Sequence, residues 1–487
     1  MRRRDVLRAG AGAVALSAVG DAAALNGPVS RSLQPYASID VERSMEAVVN
    51  DDGSAAFVAA DSGFATVDVS SPEDPQVLAE ERELLPDREN GPLPNIQDVK
   101  VSGDTLAVAG PAYPVTSENA DRELSGVLIY DVSDPASPEQ RGFFETETGV
   151  HNCCLDGDTL YATGTDFQEE ALVVADVSGD NPEEIGRWSL PQHDEQWGQV
   201  NGFLRSHHDL WVQDDTAYLA QWDAGTVILD VSDPASPEFV ARVGGRDPAE
   251  LAEFEGQAEV YGEGYQPPGN AHYVRPSEDG STLFVGAEAW NFSGYDVEGG
   301  PGGIDIWDVS DPTAAEQVGR IDPPEAENPN VSGGTWTTSH NFDLSGDVLY
   351  TSWYDGGVRV HDVSDPANPE ELAAWEDRET ASFWTAQVGV AGEFFVGTTY
   401  PRAEGFESGL YTFPDEWGGG ADGDEGGSDG GSDETTQQSD GNGSDGNDSD
   451  GNDDGSGGVE MPGFGIGAAL AGAGLGALRY LRNDNER

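Results

Sequence analysis

The sequence predicts an all-β protein, a propeller of seven four-stranded blades, from three observations. A phrase of alternating apolar residues followed by Asp-Val-Ser returns six times, at Val67, Tyr130, Ala175, Leu229, Trp307 and His361. Around each copy lie short alternating segments bounded by Gly, Asp and Pro, the mark of half-buried antiparallel strands, with no sustained helical period between them. Self-similarity at such spacings signals a repeat architecture, and four short strands per repeat is a propeller blade.

The sixth copy shows the unit most plainly. Strands are expected over residues 340–344, 348–353, 358–363 and 370–375, with Asp355-Gly356-Gly357 and 364–369 as turns. A seventh set without the phrase lies at 385–390, 394–399 and 409–413, and it lacks a fourth strand. The segment 36–41 ahead of the first complete unit supplies one, so the ring is expected to close by pairing the two chain ends, which removes exposed edges. Six blades is the alternative count. The repeated Asp68, Asp131, Asp176, Asp230, Asp308 and Asp362 are expected to be turn formers, their carboxylates accepting backbone N–H groups.

The copies at Ala171-Leu172-Val173-Val174-Ala175-Asp176-Val177 and Val227-Ile228-Leu229-Asp230-Val231-Ser232 resemble the LVIVD-repeat family of surface propellers. That resemblance implies a fold and a location at the cell surface rather than an activity.

Four regions divide the chain: a signal at 1–26, the propeller at 31–416, a spacer at 417–459 and a C-terminal segment at 460–487. The first holds Arg2, Arg3 and Arg4, then a weakly apolar stretch and the small residues Ala22 to Ala24, and resembles a twin-arginine export signal in which Arg3 and Arg4 meet the translocase. The spacer is built mainly of Gly, Ser, Asp, Asn and Glu, too polar to offset the entropy of ordering. The last segment, with Pro462, Gly463 and Phe464, an apolar run and terminal arginines, resembles the sorting signal that archaeosortase processes. These resemblances imply an exported protein held at the outer face of the membrane by a lipid; an uncut tail anchor is the competing reading. Asn291, Asn330, Asn442 and Asn447 open N-glycosylation triplets.

With 92 acidic against 23 basic residues, a formal charge of -69 and Lys100 as the sole lysine, the chain resembles proteins of haloarchaea. In molar salt the Debye length shrinks to roughly 3 Å and such self-repulsion is screened. Nucleic-acid binding is excluded by the scarcity of Lys and Arg.

Aligning the blades on their second strands places His151, His208, His272 and His340, four of the chain's seven histidines, at one equivalent position, the start of the innermost strand. Met45, Gln97 and Thr385 take that place in the other blades. Neutral imidazole suits transition metals, and Cys153 shares a strand face with His151, so these five residues are the candidate metal ligands, with copper or zinc the candidate ion. The adjacent Cys153 and Cys154 cannot form a conventional structural disulfide with each other. His207, next to His208, is expected to point away from this position, and His193 and His361, off the register, are assigned to surface or packing. No nucleophile elbow, zinc-protease helix or phosphate loop is present. The leading expectation is a surface-displayed module that binds an extracellular ligand or protein. A metal-dependent oxidoreductase with a histidine site at the channel mouth is the alternative, by analogy with copper-dependent propeller oxidases.

Overall fold

The computed structural model describes residues 31–115, 123–291, 299–403 and 405–418. The export signal with Arg3 and Arg4, nearly all of the spacer and the sorting signal with Pro462, Gly463 and Phe464 lie outside the described residues. Among those described, no helix is long and apolar enough to cross a membrane.

Seven sheets form a ring, each sheet a meander running outward from the channel. The innermost strands are Ala47–Val49, Asp98–Ser102, Cys153–Asp156, Asp209–Gln213, Ala271–Pro276, Phe342–Ser345 and Phe383–Val390 in blades 1 to 7. Blade 7 takes its outermost strand from the other end of the chain: Ala37–Asp40 pairs antiparallel with Gly409–Pro414, Ile39 opposite Leu410. The seam then fills with Val41, Ala47, Val58, Val67, Val396 and Leu410, all inaccessible to solvent. Ring closure through the two ends is therefore as the sequence predicts. The sequence did not suggest the short strand Arg31–Ser32, which adds in parallel to the outer edge of blade 6.

The repeated phrase ends the third strand of each of the first six blades. In all six copies the Asp Oδ1 accepts the backbone N–H of the Ser two residues on, at 2.9–3.0 Å. This local bond fixes the turn into the outermost strand, where the pairing register also shifts by a bulge in each of the six.

One expectation is amended. Short helices do intervene, at Leu190–His193, Pro248–Leu251 and Gln257–Gly264. They belong to the long connections that lead from the outermost strands of blades 3 and 4 to the next innermost strands. These connections lie on the face where innermost strands begin, and they roof that end of the channel.

Candidate functional site

Because the innermost strands start on one face, equivalent residues of neighbouring blades meet around the axis. The four histidines form a continuous arc, with ring centroids 4.1 Å apart for His151 and His208, 4.0 Å for His208 and His272, and 4.5 Å for His272 and His340. Each is only 1–3 % exposed.

Two of the rings are fixed by backbone carbonyls. His151 Nδ1 lies 2.6 Å from the carbonyl oxygen of Ala112, and His340 Nδ1 lies 2.5 Å from that of Trp384. A carbonyl can only accept, so each Nδ1 carries the proton and each Nε2 presents a lone pair, the tautomer a metal ligand needs. Burial holds His151 neutral, its pKa pushed down to about 3, and pushes His340 well below the usual imidazole range.

The residue that completes the arrangement is Glu288. It comes directly after the second strand of blade 5, Thr282–Ala287, where blade 4 carries Gln221 and blade 6 carries Trp353. Ligand atoms of His208, His272 and Glu288 all lie within 4.8 Å of one another, and all three residues are buried. His272 Nδ1 is 3.3 Å from Glu288 Oε2, yet neither nitrogen of His272 makes a hydrogen bond, nor does His340 Nε2. Buried polar atoms without partners are costly and rare. A tetrahedral ion with bonds of roughly 2.0–2.2 Å holds its ligand atoms about 3.4 Å apart, which is the spacing already present between His272 and Glu288. Glu288 stands in a strand connection, outside the histidine register, so aligning the histidines does not find it; a lone carboxylate between Ala287 and Ala289 is the signal the sequence offers.

Cys153, the fifth candidate, is not brought into this group. Its side chain packs with Ala107, Val127, Leu160 and Val173 between blades 2 and 3, while its backbone N–H donates to Asp98 Oδ2 at 2.7 Å. Burial raises its thiol well above the ordinary range, as it raises that of Cys154, to about 11. Both cysteines are free. Of the other histidines, His193 is exposed and stacks on Phe239 at 4.2 Å, whereas His207 and His361 are interior.

Aromatic rings enclose the arc. Trp384 lies 4.2 Å and Tyr354 4.9 Å from His340, and Trp222 lies 6.2 Å from His208. Phe203, Tyr265, Trp290 and Trp336 continue the wall. The roof is clamped by ion pairs: buried Arg246 meets Asp223 at 2.9 Å and Glu263 at 3.2 Å, and Arg402 meets Asp355 at 2.6 Å.

One position further along the innermost strands, a second polar layer crosses the channel. Lys100 is in direct contact with Asp98 and lies 4.0 Å from Glu46 Oε1. Asn341 Nδ2 donates to Glu46 Oε2 at 2.6 Å, and Asn152 Nδ2 donates to the carbonyl of His208 at 2.7 Å. Asn152 thereby braces the backbone of a candidate ligand. Asp98 and Asn341 serve the lysine and Glu46 layer instead.

Residues 205–244 and 339–376 match the model of the LVIVD repeat. The chain carries LVIVD repeats. The two matched segments are blades 4 and 6, each with one histidine of the arc at its start. No curated protein matches the sequence. Among solved structures, the β-propeller domain of Myceliophteria thermophila Cps50 (Swd1) is similar in fold, with a TM-score of 0.51 over 78 % of this chain and 99 % of that domain. At 12 % identity that likeness concerns the fold alone. The repeats, like that domain, build a propeller, a generic binding scaffold whose function resides in the site it carries.

Proposed function

We propose that this LVIVD-repeat protein is an exported binding module, displayed on the outer face of the cell membrane, that takes a divalent transition-metal ion into its histidine chamber. The observation that carries the metal reading is the convergence of His208, His272 and Glu288 within 4.8 Å, with both nitrogens of His272 buried and without hydrogen bonds. Two imidazoles and a carboxylate form a donor set suited to zinc and its neighbours in the first transition row. The ligands come from the beginnings of two innermost strands and from one strand connection.

Export and display are supported by the sequence at its two ends: Arg3 and Arg4 before a weakly apolar stretch, and Pro462-Gly463-Phe464 before a short apolar run, joined to the propeller by an acidic spacer. In this reading the translocase exports the folded domain and archaeosortase exchanges the tail for a lipid anchor. The excess of 92 acidic over 23 basic residues supports a working environment of high salt.

Elemental analysis of protein purified in high salt and loaded with zinc or copper tests the metal reading. One equivalent in the wild type, lost in His208→Ala/His272→Ala, is expected; wild-type protein without bound metal overturns it. Intact-mass analysis of the membrane-extracted protein tests the anchor. Loss of the apolar run 465–478 with gain of a lipid mass is expected, and an unmodified Arg487 terminus overturns it.

A further inference from the structure

Glu288 has two carboxylate oxygens, and a neighbour has already engaged one of them. Tyr354 Oη donates to Glu288 Oε1 at 2.5 Å, while Oε2 faces His272 Nδ1 at 3.3 Å. The backbone of Glu288 is held as well, its carbonyl accepting from Asn270 Nδ2 at 2.7 Å. We infer that Tyr354 is a positioning residue for the metal site: its hydroxyl occupies Oε1, so that Glu288 meets the ion through Oε2 alone. The inference rests on the metal reading above and specifies how its carboxylate ligand binds.

Two features of the chain place that hydroxyl. Tyr354 sits in the turn between the second and third strands of blade 6, with φ at 49°, a left-handed conformation rare for a bulky residue and retained where the surroundings over-determine it. Here the surroundings are two backbone bonds with Phe383 of blade 7, at 3.1 Å and 2.9 Å, and rings of His340, Trp290 and Trp336 at 4.9–5.6 Å. The resulting side chain reaches out of its own blade to the carboxylate of blade 5. In blade 4 the corresponding turn holds Trp222 at φ 37°, an aromatic residue without a hydroxyl. The geometry is thus a repeated roof device, and a phenol stands where a carboxylate needs a partner.

A carboxylate that lacks this bond is free to rotate and to offer both oxygens to the ion. Hydrogen bonds from neighbouring groups that orient a ligand are typically worth 10–100-fold in metal affinity. The experiment is a Co(II) titration of the propeller in high salt, followed by visible absorption, for the wild type, Tyr354→Phe, Glu288→Gln and the double variant, with melting of each apoprotein alongside.

Tyr354→Phe is expected to keep the apoprotein melt and lose about 10–100-fold in Co(II) affinity. Its d–d bands should weaken as Glu288 turns bidentate and the coordination number rises, and it should cost nothing further in the Glu288→Gln background. Wild-type affinity and spectrum in Tyr354→Phe overturn the inference. So does an equal loss in the Glu288→Gln background, or an apoprotein of Tyr354→Phe that no longer folds, which assigns the tyrosine a purely structural role. Failure of the wild type to bind Co(II) removes the metal reading itself and is distinguishable from all of these.

Discussion

Replacing the sole lysine, Lys100→Met, should destabilise the protein far more than its one-residue scale suggests, and by an amount that depends on pH. The ammonium touches Asp98 and lies 4.0 Å from Glu46, both of them buried. Two unit charges about 4 Å apart attract by about 4 kcal/mol at an effective dielectric near 20, and removing one partner of a buried pair costs about 3–5 kcal/mol because the other stays uncompensated. Methionine keeps the packing, so the loss reports charge. Glu46 supplies the pH signature. Burial pushes its pKa up to about 7 against the opposing pull of Lys100, and without the ammonium it rises further. An acid whose folded pKa is raised is tolerated below its unfolded value, here 4.5, and destabilises the fold as pH climbs through the folded value. Urea denaturation in molar KCl should therefore show the defect of Lys100→Met smaller near pH 5, where Glu46 is protonated in both folded proteins, and larger near pH 8, where the wild-type Glu46 ionises beside the ammonium. A defect below about 1 kcal/mol at pH 8, ordinary for a surface site, or one of equal size at both pH values, refutes the reasoning.

Deleting residues 31–41 should remove the strand that closes blade 7, lower the melting temperature and expose the Gly409–Pro414 edge; light scattering that stays monomeric with an unchanged melt argues against closure by the chain ends. Burial pushes His361 down to about 4. A base with a depressed folded pKa contributes stability that is present above its unfolded value and lost as pH falls. At 1.36 kcal/mol per unit, the loss approaches about 3 kcal/mol between pH values near 6.5 and 4. Melting curves across that window should be flatter for His361→Gln than for the wild type, and parallel curves contradict the assignment. Cys153 and Cys154, buried and with raised pKa values, should react with a thiol reagent only after unfolding, and rapid labelling of the folded protein would count against their burial.

Local periodicity carried the fold because each blade is specified by its own short strands and turns. The Asp-Val-Ser phrase is such a local device, an Asp side chain bonding two residues ahead, and so it reads directly from sequence. Closure by Ala37–Asp40 was legible for a related reason: a blade with three strands and a leftover strand at the other end leave one economical pairing. The histidine register was legible too, since equivalent positions in a ring must converge.

What the register could not convey was anything set by contact between different positions of different blades. Cys153 shares a strand face with His151 by the period of two, yet packing between blades 2 and 3 takes its side chain away from the arc. Glu288 and Tyr354 lie in strand connections, outside the histidine register, and only the curvature of the ring brings Glu288 to His208 and His272 and Tyr354 to Glu288. The sequence by itself determined a seven-bladed ring, its closure and the four histidines on one rim, because those depend on local pattern and rotational symmetry. The tertiary structure decided which carboxylate joins them, which tyrosine holds it and which cysteine does not, because side-chain contacts across blades depend on where each connection folds back over the channel.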